Sequence, residues 1–169
     1  GLVHKKLKKK FKNLLTIIIP RHIHRINLIR EQLNQMGLKI HLHENKKRIS
    51  KDTDIYLVNS YGQTKSFFSM CQNVFLGGSL INHGGQNPLE AVRYGCNILH
   101  GPNVSNFDEI YSFLNSQKIS FGIKKHNGML KVLNKLLSSK KNQRNIKKKI
   151  HLKGEKILKL TIKEIDNYL

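Results

Sequence analysis

The sequence predicts an α/β fold built around a doubly wound parallel sheet, and three observations predict it. Short apolar runs rich in β-branched residues alternate with segments whose apolar residues recur at helical spacing. The runs are continuously apolar rather than alternating, as strands buried on both faces are. Several of them end in glycine or proline, which stop a strand and turn the chain. Alternation of this kind builds right-handed βαβ units with helices covering both faces of the sheet.

Leu14 to Ile19 is the first strand, stopped by Pro20. Residues 23–36 read as a helix, with Ile26, Ile29, Leu33 and Met36 on one face and Gly37 closing it. Leu38 to Leu42 and Ile55 to Val58 are the next strands, separated by a polar loop. Gln63 to Met70 is a short helix, and Val74 to Leu76 is a strand that runs into Gly77-Gly78. Residues 88–94 are helical up to Gly95, and Cys96 to Leu99 is a strand closed by Gly101-Pro102. Residues 106–115 form a helix and Ile119 to Ile123 a strand; 127–169 is mostly helix with a break near Ser138 to Asn142. The result is a sheet of about six strands, whose ligands bind beyond the carboxyl ends.

The 169 residues suit one domain with a buried core, read as 1–169 with the last helices at about 143–169. Gly1 stands where an initiator Met would, as in a piece cut from a longer chain. With 31 Lys+Arg against 10 Asp+Glu, the net charge is +21. That balance points to nucleic acid, an anionic membrane or an anionic substrate. One cluster is Lys5, Lys6, Lys8, Lys9, Lys10 and Lys12; the other runs from Lys147 through Lys163. Solvated lysine-rich helix faces explain the same letters. Cys71 and Cys96 have no metal-type spacing and read as buried free thiols. No stretch approaches the ~18 apolar residues of a membrane span, so membrane contact by this chain is expected to be peripheral.

The residues that follow the strands are the candidates for chemistry. Pro20 fixes the chain direction, and Arg21 presents a planar fork suited to phosphate or carboxylate. After the third strand come Asn59, Ser60, Tyr61, Gly62 and Gln63, where Ser60 and Gln63 have the form of a capping box. Gly77-Gly78-Ser79 follows the fourth strand, and Gly84-Gly85-Gln86-Asn87-Pro88-Leu89-Glu90 opens a helix. Asn87 reads as its N-cap, Pro88 as its first residue and Glu90 as the capping-box carboxylate. Four glycines are more than a cap requires, and they let a ligand lie against bare backbone. Glu90 could accept two hydrogen bonds from a ribose diol or merely cap its own helix; the spacing leaves both open.

Other chemistries lack their residues. Neither the G-x-x-x-x-G-K-[ST] loop nor the G-x-G-x-x-G fingerprint is present, which disfavours nucleoside triphosphate hydrolysis and dinucleotide binding. His22 and His24, or His41 and His43 beside Glu44, share a face if extended, but no further ligand completes a metal site. There is no G-x-S-x-G elbow and no clear acid pair.

Ile17-Ile18-Ile19-Pro20-Arg21-His22, Ser60 to Gln63, Phe75 to Leu80, Gly84 to Glu90, and Gly101-Pro102 followed by Asn106-Phe107 occur in that order. Together they resemble the C-terminal domain of bacterial 3-deoxy-D-manno-octulosonic acid (Kdo) transferases, from about residue 3 to 137 or beyond. The resemblance implies one Rossmann-like half of a GT-B glycosyltransferase, which transfers Kdo from CMP-Kdo to a lipid A precursor with inversion. It implies no metal or cofactor in the active site. It also implies an absent N-terminal domain that carries the acceptor site and a glutamate base. The expected location is the cytoplasmic face of the bacterial inner membrane, against an anionic surface. By the same resemblance Pro20 and Arg21 contact the CMP phosphate, and Tyr61, Gly62 and Gln63 line the nucleotide. Gly77, Gly78 and Ser79 flank the donor. Asn87, Pro88, Leu89 and Glu90 hold the nucleotide, with Glu90 on the ribose. No catalytic residue lies in this chain on that reading, and the chain alone is expected to bind donor without transferring it.

Departures from the family pattern are Val58-Asn59-Ser60 for Gly-Asp-Thr, Gln63 for Glu and Gln86 for His. Gln63 keeps an acceptor and loses the charge. Two other functions compete. A GT-B donor domain for a UDP- or GDP-sugar differs in base preference. A basic nucleic-acid-binding module would show steeply salt-dependent binding, and the low aromatic content, 7%, with no basic–aromatic interleaving, argues against it.

Overall fold

The described residues form six short strands, all parallel, in two sheets of three ordered β1-β3-β2 and β4-β5-β6. The structure is a computed structural model that describes residues 1–43, 48–139 and 143–167. It divides into two units, Gly1–Thr64 and Lys65–Leu169, each holding one of the sheets. The α/β architecture with parallel strands read from the sequence is present; the expected single run of strands is observed as two three-stranded sheets.

In the first unit β1 (Thr16–Ile18) and β2 (Ile40–Leu42) flank β3 (Ile55–Leu57), with Ile18 and Leu42 both in register with Leu57. The central position explains why Ile55 and Leu57 are fully buried. Helix α2 (Ile26–Gln35), preceded by a 3-10 turn at Ile23–Arg25, carries the chain from β1 to β2. Its Leu33 packs with Leu38 and Ile55, joined by Ile18, Ile29, Met36 and Ile40. Gly37, at φ +68°, ends α2 in a Schellman motif: its N–H donates to Asn34 and that of Leu38 to Leu33.

Helix α1 (Leu2–Lys8) was not anticipated, because its lysines mask two anchors, the buried His4 and Leu7. The His4 ring pairs with Thr16 Oγ1 at 2.8 Å and with Asp54 Oδ1 at 3.2 Å, and Lys8 forms an ion pair with the same carboxylate.

In the second unit β5 (Asn97–His100) is central between β4 (Asn73–Phe75) and β6 (Ser120–Gly122). Helices α3 (Thr64–Met70), α4 (Leu89–Arg93) and α5 (Asp108–Ser116) surround it. They build a core of Phe68, Leu76, Ala91, Val92, Cys96, Ile98, Tyr111, Leu114 and Ile119. Helix α6 (His126–Ser138) is followed by α7 (Gln143–Asp166). The break expected between them falls partly on residues 140–142, outside the described residues, as does Glu44. Ile146 anchors α7 in the core and Ile150 packs on it; from His151 to Asn167 every residue is exposed.

Candidate functional site

Parallel pairing sends the loops after neighbouring strands out of the same edge of each sheet. In the first unit the Val58 N–H donates to the Ile18 carbonyl at 2.9 Å. Pro20-Arg21 and Asn59 to Gln63 therefore leave one edge side by side. Arg21, Tyr61 and Gly62 are exposed, Pro20 and Gln63 half-buried. Arg21 has no hydrogen bond or ion pair among the described residues. The capping box expected of Ser60 and Gln63 does not form. Helix α3 begins at Thr64, too late for Ser60 to be its cap, and the buried Ser60 Oγ has no hydrogen-bond partner among the described residues.

In the second unit the loop from Gly77 to Pro88 leaves the carboxyl end of β4, beside the loop that starts at Gly101 after β5. Ser79, fully buried, welds the two. Its hydroxyl donates to the Leu76 carbonyl at 2.7 Å and accepts the Gly101 N–H at 2.8 Å. Its carbonyl accepts the Asn103 N–H at 3.0 Å and Nδ2 at 3.2 Å. Further along, the Asn106 N–H donates to the Gly84 carbonyl at 3.2 Å.

Gly84 and Gly85 have φ +69° and +77°, a region costly for any residue with a Cβ. A Cβ at Gly84 would also collide with the Asn106 side chain, and one at Gly85 would stand 3.0 Å from the Asn103 carbonyl oxygen. The N–H groups of Gly84, Gly85, Gln86 and Asn87 have no hydrogen-bond partner among the described residues. Successive free amides on such a turn form a concavity suited to an anion.

Helix α4 starts one residue later than expected, with Pro88 rather than Asn87 at its N-cap; Asn87 Oδ1 still accepts the Leu89 N–H at 2.9 Å. The reciprocal arm of the capping box is missing: Glu90, an exposed side chain, stands 3.9 Å from Lys65 Nζ instead. Helix α4 has only five residues, so its dipole adds little at this end.

The sequence places Tyr111 in the helix read at 106–115 and gives no role to its hydroxyl, which donates to the Gln86 carbonyl at 2.9 Å. Burial raises its pKa to about 12, so it remains a donor at every physiological pH. Its ring lies 4.5 Å from that of His100, whose Nδ1 is 2.7 Å from the Gly101 carbonyl. Burial lowers the His100 pKa, partly opposed by that hydrogen bond. The only signal in the sequence was spacing, since Asn103, Asn106 and Tyr111 all follow Gly101-Pro102 within a few residues.

Away from these edges, the Cys96 thiol, pushed up to about 12 by burial, donates to the Phe68 and Cys71 carbonyls. The His22 and His24 rings stack at 5.5 Å, and His41 stacks on Tyr56 at 5.3 Å. Among the described residues no group of three or more His, Cys, Asp or Glu is placed to hold a metal. No helix of the described residues is long and apolar enough to cross a membrane.

No family model matches the chain. Individual proteins do. The Kdo transferase of Aquifex aeolicus (strain VF5) is 28% identical over 150 residues, 89% of this chain and 41% of the relative. That of Rickettsia bellii (strain RML369-C) is 32% identical over 143 residues, 85% of this chain and 34% of the relative. This chain is homologous to part of the Kdo transferases. A bifunctional glycosyltransferase/methyltransferase of Fusobacterium nucleatum is 30% identical over 142 residues, 82% of this chain and 22% of its own length. The chain thus spans well under half of these Kdo transferases and their bifunctional relative. Its fold matches the crystal structure of the C-terminal CMP-Kdo binding domain of WaaA from Acinetobacter baumannii. The TM-score is 0.79 at 22% identity, over 89% of this chain and 78% of that one.

Proposed function

We propose that this chain is the donor-binding part of a Kdo transferase, a glycosyltransferase that moves Kdo from CMP-Kdo to a lipid A precursor in lipopolysaccharide biosynthesis. The observation that carries the reading is the row of unpartnered N–H groups from Gly84 to Asn87 at the carboxyl edge of a parallel sheet. Similarity to Kdo transferases narrows the anion to a nucleotide-sugar.

In this reading Gly77 and Gly78 flank the donor with the buried Ser79 fixing their loop, while Asn87 and Leu89, set by the buried Pro88 between them, hold the nucleotide and the Glu90 carboxylate accepts from the ribose hydroxyls. On the first unit Arg21, with Pro20 fixing its approach, meets the phosphate charge. Tyr61, Gly62 and Gln63 contact the nucleotide, and the orphaned Ser60 hydroxyl lies in the same loop. An acceptor hydroxyl attacks the anomeric carbon of Kdo. The new C–O bond forms as the bond to the CMP phosphate oxygen breaks, and the phosphate leaves with the electron pair, stabilised by positive charge and N–H donors. The acceptor proton goes to a glutamate base that the family resemblance places outside these residues. No metal or cofactor is assigned a step.

The lysines extend the reading to the cytoplasmic face of the inner membrane, as a peripheral contact. Lysine near an anionic leaflet gains about 1 kcal/mol. Lys5, Lys8, Lys9 and Lys12 line a depression with His4 and Asp54 at the amino end of the first sheet, opposite the edge assigned to the donor.

Titration of the chain with CMP, UMP, GMP and phosphate tests the proposal. Selective CMP binding that weakens in Arg21→Ala and in Glu90→Ala is the expected result. Preference for UMP or GMP would transfer the site to another nucleotide-sugar, and equal weak binding of all four would reduce it to generic anion affinity.

A further inference from the structure

Tyr111 is 2% exposed and is located by three elements before it reaches the loop. It belongs to α5, its ring lies against His100 of β5, and Ser120 Oγ of β6 donates to its carbonyl at 3.3 Å. A phenylalanine would fill the same volume. What the hydroxyl adds is one bond, to the Gln86 carbonyl, in a stretch with few others among the described residues: Gly84 is held by Asn106, and Asn87 bonds to Leu89.

The peptide unit makes that bond directional. The carbonyl of Gln86 and the N–H of Asn87 belong to one planar trans peptide and point in opposite directions. With the carbonyl fixed toward the buried Tyr111, the Asn87 N–H must point away from the core. A hydrogen bond on the carbonyl also polarises the amide and strengthens its N–H as a donor.

We propose that Tyr111 is a positioning residue for the donor site, holding the Gln86 carbonyl so that the Asn87 N–H faces the bound nucleotide. The inference rests on the donor-binding reading of this loop. Tyr111 touches no ligand; it acts through the backbone.

The test is Tyr111→Phe in the 169-residue chain, with CMP as the probe. The variant should bind CMP about five- to tenfold more weakly, the scale of one lost hydrogen bond. Its melting temperature should fall by no more than about 4 °C. Without ligand, the Asn87 amide resonance should move while those of Ile98 and Leu99 in β5 stay in place. Wild-type affinity in the variant, or an unmoved Asn87 resonance, overturns the proposal. So does a loss of affinity accompanied by shifts throughout β5, because the hydroxyl would then serve the core alone. If wild-type chain fails to bind CMP, the donor reading falls and takes the nucleotide with it, while the resonance still decides whether Tyr111 sets the Asn87 N–H.

Discussion

The Ser79 hydroxyl accepts the Gly101 N–H at 2.8 Å, and the two backbones pass so closely that a Cβ on Gly101 would collide with the Ser79 carbonyl. One buried side chain and one missing side chain thus tie the loop after β4 to the loop after β5. Two losses of stability are expected. Gly101→Ala forces the loops apart, at about 2–3 kcal/mol. Ser79→Ala leaves the Gly101 N–H and the Leu76 carbonyl short of a partner, at about 1–3 kcal/mol. Urea unfolding measures both, and a Gly101→Ala midpoint equal to wild type would show that the junction is not tight.

Glu90 separates binding from folding. Its side chain is 47% exposed, and its one ionic neighbour among the described residues, Lys65, is 3.9 Å away. Such a pair is worth little, so Glu90→Ala should change stability by no more than about 0.5 kcal/mol. The ribose assignment predicts a loss of CMP affinity of about tenfold or more, the scale of hydrogen bonds to a charged group. A diol-directed carboxylate should also ignore a ligand without the diol. Calorimetric titration with 2′-deoxy-CMP should therefore give nearly equal affinities for wild type and Glu90→Ala; a large difference would move Glu90 off the ribose.

The elements that the sequence revealed are those whose signal is local. Apolar runs at Ile55 to Val58 and Cys96 to Leu99 became the central strands of their sheets, because β-branched and aliphatic residues fill a position buried on both faces. Gly37 ended its helix for the same reason that it was expected to, its access to positive φ. What stayed hidden depends on tertiary partners. Helix α1 is a lysine-rich string until His4 meets Thr16 and Asp54. The second half of the Asn87–Glu90 capping box failed because Glu90 turns toward Lys65, a residue remote in sequence. The glycines of the candidate site were legible. The reason for their spacing was not, since it lies in Asn103, Asn106 and Tyr111 on a later loop and helix.

Acid should act in two windows. Burial lowers the His4 pKa, against the opposing pull of Asp54 and with help from Lys8 and the N-terminal amine; burial lowers that of His100 as well. Well above about pH 6.5 both histidines are neutral in folded and unfolded chain alike. Below it the unfolded chain takes up protons that the folded one resists, so stability falls with pH. Asp54 behaves differently. Burial raises its pKa, but Lys8, the Lys39 N–H and His4 outweigh burial and hold it at about 2. Its contribution is present above the unfolded carboxyl pKa and is lost as pH falls toward 2. Melting temperatures from pH 7.5 to 2.5 should show both declines, and a His4→Gln, His100→Gln double variant should flatten the upper one while the lower one persists, because Lys8 and the Lys39 N–H still act on Asp54. An unchanged upper decline in that variant would assign it to other groups.

The long last helix carries its stability at one end. Ile146 is 2% exposed and Ile150 packs on the same core, whereas Ile157, Leu158, Leu160, Ile162 and Ile165 are each about half exposed, from 48% to 60%. Lys153 Nζ lies 5.2 Å over the Phe113 ring. Ending the chain after Gly154 therefore removes helix but almost no burial. The urea unfolding free energy should change by about 0.5 kcal/mol or less, while circular dichroism should lose the signal of the removed turns. CMP affinity should be unchanged, because every residue assigned to the nucleotide precedes α6. A loss of several kcal/mol would mean that residues beyond Gly154 help to hold the second unit together. A fall in CMP affinity at unchanged stability would bring this helix into the binding reaction.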